Sequence, residues 1–197
     1  MMNLQPYMHL RDGNDLEPMD ERHVKMIHSV LVTECPGSVV NIGIANGFSS
    51  VATIQAILTD HVQSGFFIDL TLRECFKKLL PPLDPRFYTL ETNSRDFHAT
   101  AECWVIDGDH RDGAIVDYDN ARKSQARIVI AHDTNEAFCP EHQAGAIEIG
   151  RRMKKDSVCY FEDWQDRPGE LTKRGLTIAF YYQPKEETMR NLQELNR

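Results

Sequence analysis

Short apolar runs alternate with helical stretches along this chain, and that alternation limits the fold more than any other feature of the sequence. The runs are SVVNI (38 to 42), GFFID (65 to 69), RFYTLE (86 to 91), ECWVID (102 to 107) and ARIVIA (126 to 131). Between them lie a helical stretch from Ser49 to about Thr59, the segment LRECFKKLL (72 to 80) ending at Pro81-Pro82, a short polar connection, and a polar helix from about Asp112 to Gln125. Apolar strands joined by right-handed crossovers form a parallel sheet with helices on both faces. A further helix opens near Pro140 and runs to about Lys155. The end of the chain departs from this pattern. SVCYFEDW (157 to 164) and LTIAFYYQ (176 to 183) flank a polar loop with Pro168-Gly169, which predicts an antiparallel hairpin, and a last helix carries Met189, Leu192 and Leu195. The expected fold is a doubly wound, mostly parallel α/β sheet with a C-terminal antiparallel hairpin.

Ahead of the first run, Asp20 is placed to cap a helix with Val24, Ile27 and Leu31 on one face, stopped by Pro36-Gly37. The first 18 residues mix Pro, Asn, Asp and Gly with scattered Met and Leu, and read as an arm or lid rather than a core element. This gives an N-terminal arm and helix over 1–37, a core over 38–183 and a C-terminal helix over 184–197. At 197 residues, without a repeat or a linker rich in Gly, Ser or Pro, the chain reads as one domain.

Composition excludes several partners. Thirty acidic against 22 basic side chains give a formal charge of −8, which opposes attraction to phosphate backbones or anionic lipid. The main basic cluster, Arg151, Arg152, Lys154 and Lys155, falls in the last turn of a helix, where cations favour the negative end of the dipole. Nucleic acid is therefore not the expected partner. No apolar stretch reaches the ~18 residues of a membrane span. Five widely spaced cysteines without a CxxC pair suit a reducing compartment, and the expected location is cytoplasmic. The oligomeric state stays open, and Trp164 with Arg167 in the hairpin would suit a pocket rim, a homodimer contact or simple packing equally.

In open α/β sheets ligands bind outside the carboxyl ends of the strands, so the residues after each run are the candidates. The first run leads into Asn41-Ile42-Gly43-Ile44-Ala45-Asn46-Gly47-Phe48-Ser49, a turn with two glycines that opens a helix and offers unpaired amides. Ala45 stands where a dinucleotide fingerprint needs its middle glycine, which disfavours nicotinamide binding. The second run ends at Asp69, suited to accept both hydroxyls of a ribose or to cap the next helix. The fourth ends Asp107-Gly108-Asp109-His110 and the fifth His132-Asp133-Thr134. Carboxylates gathered at adjoining strand ends repel unless a cation or a shared proton offsets the charge, so a hard divalent metal is a natural resident. Helix capping by Asp109 and Asp133 is the plainer alternative. The other histidines, His23 among them, lack ligand spacing.

The glycine loop, Asp69 and the pair of motifs VIDGDHRDGAIVDYDNARK and IVIAHDT resemble the Rossmann-like class I S-adenosylmethionine-dependent methyltransferases over roughly 38 to 183. Within that class they look like the metal-dependent O-methyltransferases of sugars and related small molecules. The resemblance implies S-adenosyl-L-methionine as cofactor, with Asn41, Gly43, Ile44, Ala45, Asn46, Gly47 and Ser49 around its methionine part. Asp69 would hold the ribose, Asn93 and Ser94 would lie near the adenine, and Asp107 would line the same site. It implies Asp107, His132 and Asp133 at a divalent metal (magnesium, manganese or zinc) and Asp109 or His110 as general base toward a hydroxyl of a small-molecule acceptor. Three features depart from the family pattern. Asn41 replaces an acidic residue, His132 precedes Asp133 where relatives carry a second oxygen ligand, and little chain precedes the first strand. An imidazole suits zinc, iron or nickel better than magnesium. Two other readings use the same residues: a cofactor-binding protein without transferase activity, and a metal-dependent hydrolase.

Overall fold

The computed structural model describes residues 2–12, 19–137, 141, 143–164 and 174–197. Seven strands form one sheet: β1 (Ser38–Ile42), β2 (Ser64–Asp69), β3 (Phe87–Glu91), β4 (Cys103–Ile106), β5 (Ile128–His132), β6 (Cys159–Asp163) and β7 (Leu176–Phe180). Their order is β3-β2-β1-β4-β5-β7-β6. The first five are mutually parallel, and β7 lies antiparallel between β5 and β6. The expected doubly wound sheet with its terminal antiparallel pair is what the chain forms. The loop carrying Arg167 and Pro168-Gly169 lies outside the described residues.

Strand side chains alternate between the sheet's two faces and so divide the core in two. Val39, Phe67, Val105, Ile130 and Ile178 join one cluster, together with apolar residues of α2 (Glu21–Glu34), α3 (Val51–Leu58) and α7 (Glu186–Leu195). Val40, Ile68, Trp104, Val129 and Ala179 join the other, beneath α5 (Asp112–Lys123) and α6 (Ala144–Asp156). α2 starts as its sequence predicts, with the Asp20 carboxylate accepting the Arg22 amide at 2.9 Å, and ends at Cys35 in a left-handed conformation. A buried staple ties α2 to α7: Glu34 accepts the Tyr182 hydroxyl at 2.6 Å, the Lys185 amide at 2.9 Å and the Thr188 hydroxyl.

Two expectations change. The segment 72 to 80 yields only the four-residue α4 (Glu74–Lys77), because buried Phe76 anchors one turn and the two prolines then stop the helix. The crossover from β3 to β4 carries only a 3-10 turn, Ser94–Asp96, in keeping with the short polar connection expected there. One face of β3 therefore stays uncovered, with Tyr88 and Leu90 exposed. The N-terminal segment is no free arm. Its short helix α1 (Met8–Asp12) follows a 3-10 turn, and Leu4 and Leu10 are buried in the first core cluster.

Among the described residues no helix is long and apolar enough to cross a membrane, and Cys35, Cys75, Cys103 and Cys159 are free thiols. Three of the four cations in the basic cluster on α6 are paired with acids, Arg151 with Glu136, Arg152 with Glu148 and Lys154 with Glu162.

Candidate functional site

The ends of β3, β2, β1 and β4 stand side by side, and a cleft of about 470 Å³ opens above them. Gly43, Ala45, Asp69, Asn93, Ser94, Asp107, Asp109 and His110 all line it, so most of the candidate residues share one surface.

The glycine loop owes its shape to two contacts. Gly43 has φ +80°, and a Cβ there would sit 2.2 Å from the Asp107 carbonyl oxygen, so only glycine permits β1 and β4 to run on together. Ile44 and Ala45 then turn their amides inward, and both donate to Oδ2 of Asp69, at 2.7 and 2.9 Å. Ala45 itself has φ +47°. The other Asp69 oxygen accepts the Thr71 amide at 3.3 Å. Asp69 thus holds the loop in addition to facing the cleft. Asn46 reaches away from it, donating to the Leu10 carbonyl at 3.4 Å and accepting from Arg73 at 2.7 Å. Asn41 is buried below, its side-chain carbonyl accepting the Thr53 hydroxyl at 2.9 Å while its Nδ2 has no partner among the described residues. Gly47 packs against Phe76, and Ser49 is buried.

On the cleft's opposite wall, Asp109 accepts the Arg111 and Gly113 amides at the start of α5, at 3.1 and 3.2 Å, and the Arg95 guanidinium at 3.0 Å. Burial pushes its carboxyl up, but these donors outweigh burial and hold it below the ordinary range. Asn93 accepts the Arg95 amide at 3.1 Å, and Ser94 donates to Asp117 at 3.1 Å.

Behind Asp109 lies a denser group. Asp133, buried and at φ +62°, faces His110 Nε2 at 3.0 Å and Arg174 at 3.3 Å, while His132 Nδ1 meets Asp107 at 3.0 Å and Asp133 at 3.6 Å. Burial disfavours the His132 cation, yet the Asp133 and Asp107 carboxylates outweigh it and hold the ring well above its ordinary pKa. For Asp133 burial likewise disfavours the charge, and the two imidazoles hold the carboxyl far below its usual range. Burial lowers His110 and Asp133 raises it further, for a net rise. Ligand atoms of Asp107, His132 and Asp133 lie within 4.8 Å of one another, and His132 Nε2 is buried without a partner among the described residues. Two carboxylates and an imidazole suit a borderline divalent ion such as zinc, so the residues present fit a metal, provided His132 gives up its proton.

No family model matches the chain, and no curated protein matches it. Solved structures do. Cofactor-bound Rv0187 from MTB superposes with a TM-score of 0.69 at 13% identity, over 90% of this chain and 88% of that one. The O-methyltransferase TomG from Streptomyces achromogenes, involved in tomaymycin synthesis and solved with SAM, gives 0.67 at 16%, over 90% and 88%. An O-methyltransferase from Bacillus cereus, solved with SAH, gives 0.64 at 12%, over 90% and 89%. The chain has the class I methyltransferase fold. In this methyltransferase-like sheet the cleft lies at the switch point beside β1, where the strand order reverses and open α/β sheets bind ligands.

Several residues of the site carried no signal in the sequence. His23 of α2 packs its ring edgewise on His132, with centroids 5.4 Å apart, and faces buried Asp163 at 3.3 Å, which Arg22 also meets at 2.7 Å. Arg174 and Asp117 were equally silent. Each comes from an element remote in sequence, and neither spacing nor periodicity reports such meetings.

Proposed function

We propose that the chain is an S-adenosyl-L-methionine-dependent methyltransferase that acts on a hydroxyl of a small molecule with the help of a divalent metal. The observation carrying this reading is that one cleft is lined both by the Asp69-held glycine loop and by Asp107, behind which buried His132 and Asp133 complete the donor group. The glycine loop, where the backbone is open to close approach, and the Asp69 carboxylate suit the amino acid and ribose of a nucleoside cofactor, with the Asn93 to Arg95 turn toward its base. The similar structures solved with SAM and SAH support the same cofactor.

A metal held by Asp107, His132 and Asp133 would supply Lewis acidity toward a bound hydroxyl. The chain's own residues do the rest. Asp133 engages Nε2 of His110 and so orients the ring, leaving Nδ1 to take the hydroxyl proton as the oxygen attacks the methyl group. Asp109, committed to three donors, keeps the segment carrying His110 in place and is the poorer base of the two. A small acceptor suits the acidic chain and its matched basic cluster, and the free thiols suit the cytoplasm.

One observation favours a second reading. His110, His132 and Arg174 already balance the two carboxylates, so a metal-free cofactor-binding site is also chemically complete. Calorimetric titration of the metal-stripped protein with S-adenosylmethionine and S-adenosylhomocysteine, with and without magnesium, manganese or zinc, separates the two. Binding that needs no ion, without methyl transfer across a broad acceptor panel, supports the second reading. Absence of binding under every condition ends both.

A further inference from the structure

Asp117 sits on α5 under the turn that follows β3, and no part of it reaches solvent. The Ser94 hydroxyl donates to its Oδ2 at 3.1 Å, and its Oδ1 is buried without a partner among the described residues. Ser94 in turn lines the cleft, in the turn next to the end of β2 that carries Asp69. A hydroxyl has one proton and two lone pairs, and an ionised carboxylate only accepts. With its single proton committed to Asp117, Ser94 has only lone pairs left for the cleft.

We propose that Asp117 is a positioning residue that fixes Ser94 as an acceptor, so that the cleft selects a purine bearing an amino group over one bearing a carbonyl at the same place. An amino group donates to the Ser94 oxygen, whereas a carbonyl oxygen sets lone pair against lone pair and leaves two desolvated acceptors facing each other. The selection is built one layer behind the contact, because Ser94 by itself would rotate to suit either ligand. Neighbouring groups leave this bond in place. Asn93 spends its carbonyl on the Arg95 amide, and the Arg95 guanidinium is held by Asp109. Burial pushes the Asp117 carboxyl up to about 6, so at pH 8 the group is ionised and purely an acceptor.

This inference rests on the cofactor reading above, and its test keeps the two apart. Dissociation constants for S-adenosylhomocysteine and S-inosylhomocysteine, its 6-oxo analogue, are measured at pH 8 on the full chain and on Asp117→Leu, Asp117→Asn and Ser94→Ala. The unmodified protein should prefer the amino compound by about tenfold or more, the scale of one buried hydrogen bond. The preference should collapse in Asp117→Leu through a gain for the 6-oxo compound, since the freed hydroxyl then turns to donate. It should survive in large part in Asp117→Asn, whose amide carbonyl can still take the proton. Ser94→Ala should lose the preference without that gain. Equal weakening of both ligands in Asp117→Leu, or an unchanged ratio, overturns the proposal and leaves the cofactor reading standing. If Asp117→Leu does not fold, an unchanged ratio in Ser94→Ala overturns it alone. Failure of the unmodified protein to bind either compound overturns both.

Discussion

Asp69 and Ala45 stand 24 positions apart, yet the Asp69 carboxylate accepts the Ala45 amide at 2.9 Å through the same oxygen that accepts the Ile44 amide. A strand-end acid thereby sets the conformation of the loop on the neighbouring strand. Two amides that would otherwise require water are satisfied by a charged acceptor, a stronger bond than one between neutral groups. Asp69→Ala is expected to free the loop and to weaken S-adenosylhomocysteine binding at least about tenfold, the loss of roughly one charge-assisted hydrogen bond. Calorimetry measures this. Unchanged affinity would show that the clamp has no bearing on the ligand.

Gly43→Ala should be far more damaging than a surface glycine substitution. The new Cβ would meet the Asp107 carbonyl carbon at 2.4 Å and its oxygen at 2.2 Å, in a backbone region disfavoured for any side chain. The ends of β1 and β4 would have to part, at a cost of about 3 kcal/mol or more. Thermal unfolding of the purified variant measures it, and a change within about 0.5 kcal/mol of the parent would contradict the close approach.

Asp107→Asn keeps the size of the side chain but removes one carboxylate from the donor group. If the metal-assisted reaction is correct, manganese or zinc retained after dialysis should fall below roughly one tenth of the parent's, the scale on which a lost ligand acts, and turnover should fall with it. Elemental analysis and a labelled-methyl assay read the two quantities. Turnover that persists after the metal is lost would dismiss the metal from the reaction, and retention of both would remove Asp107 from its ligands.

Asp117 makes stability depend on pH. Its carboxyl is pushed up to about 6 in the folded chain by burial, above its ordinary value of 3.8, so the folded state binds the proton more tightly than the unfolded state. The stabilisation is present in full below the ordinary value and is lost as pH rises through about 6. A rise of that size corresponds to about 3 kcal/mol. Asp117→Asn, which cannot ionise, should therefore gain stability over the parent at pH 8 by up to about that amount, and little at pH 4. Paired denaturant titrations at the two pH values test the sign.

The fold was largely legible because its signals are local. Each strand of the parallel core announces itself by an apolar run, and each helix by spacing and stops such as Asp20 and Pro36-Gly37. Helix α4 was harder to read. A nine-residue helical pattern shrank to one turn because tertiary packing held only Phe76, and the uncovered face of β3 follows from a crossover too short for a helix. In the site, the polar residues after β1, β2, β4 and β5 were legible as positions. Their partnerships were not. Asp109 serves the start of α5 and Arg95, whereas Asp133 faces His110 and Arg174.

By itself, then, the sequence determined the strands and the longer helices, which glycine lies at the end of β1, and which strand ends are acidic. These depend on periodicity and on residue type, and both are properties of neighbours along the chain. The tertiary structure alone decided that His23, Arg22 and Asp163 gather behind His132, and that Asp117 is sealed beneath Ser94. A polar side chain's charge and hydrogen bonding follow from its burial and from what faces it. Those in turn depend on which elements the sheet order brings together, and one-dimensional spacing carries no record of that.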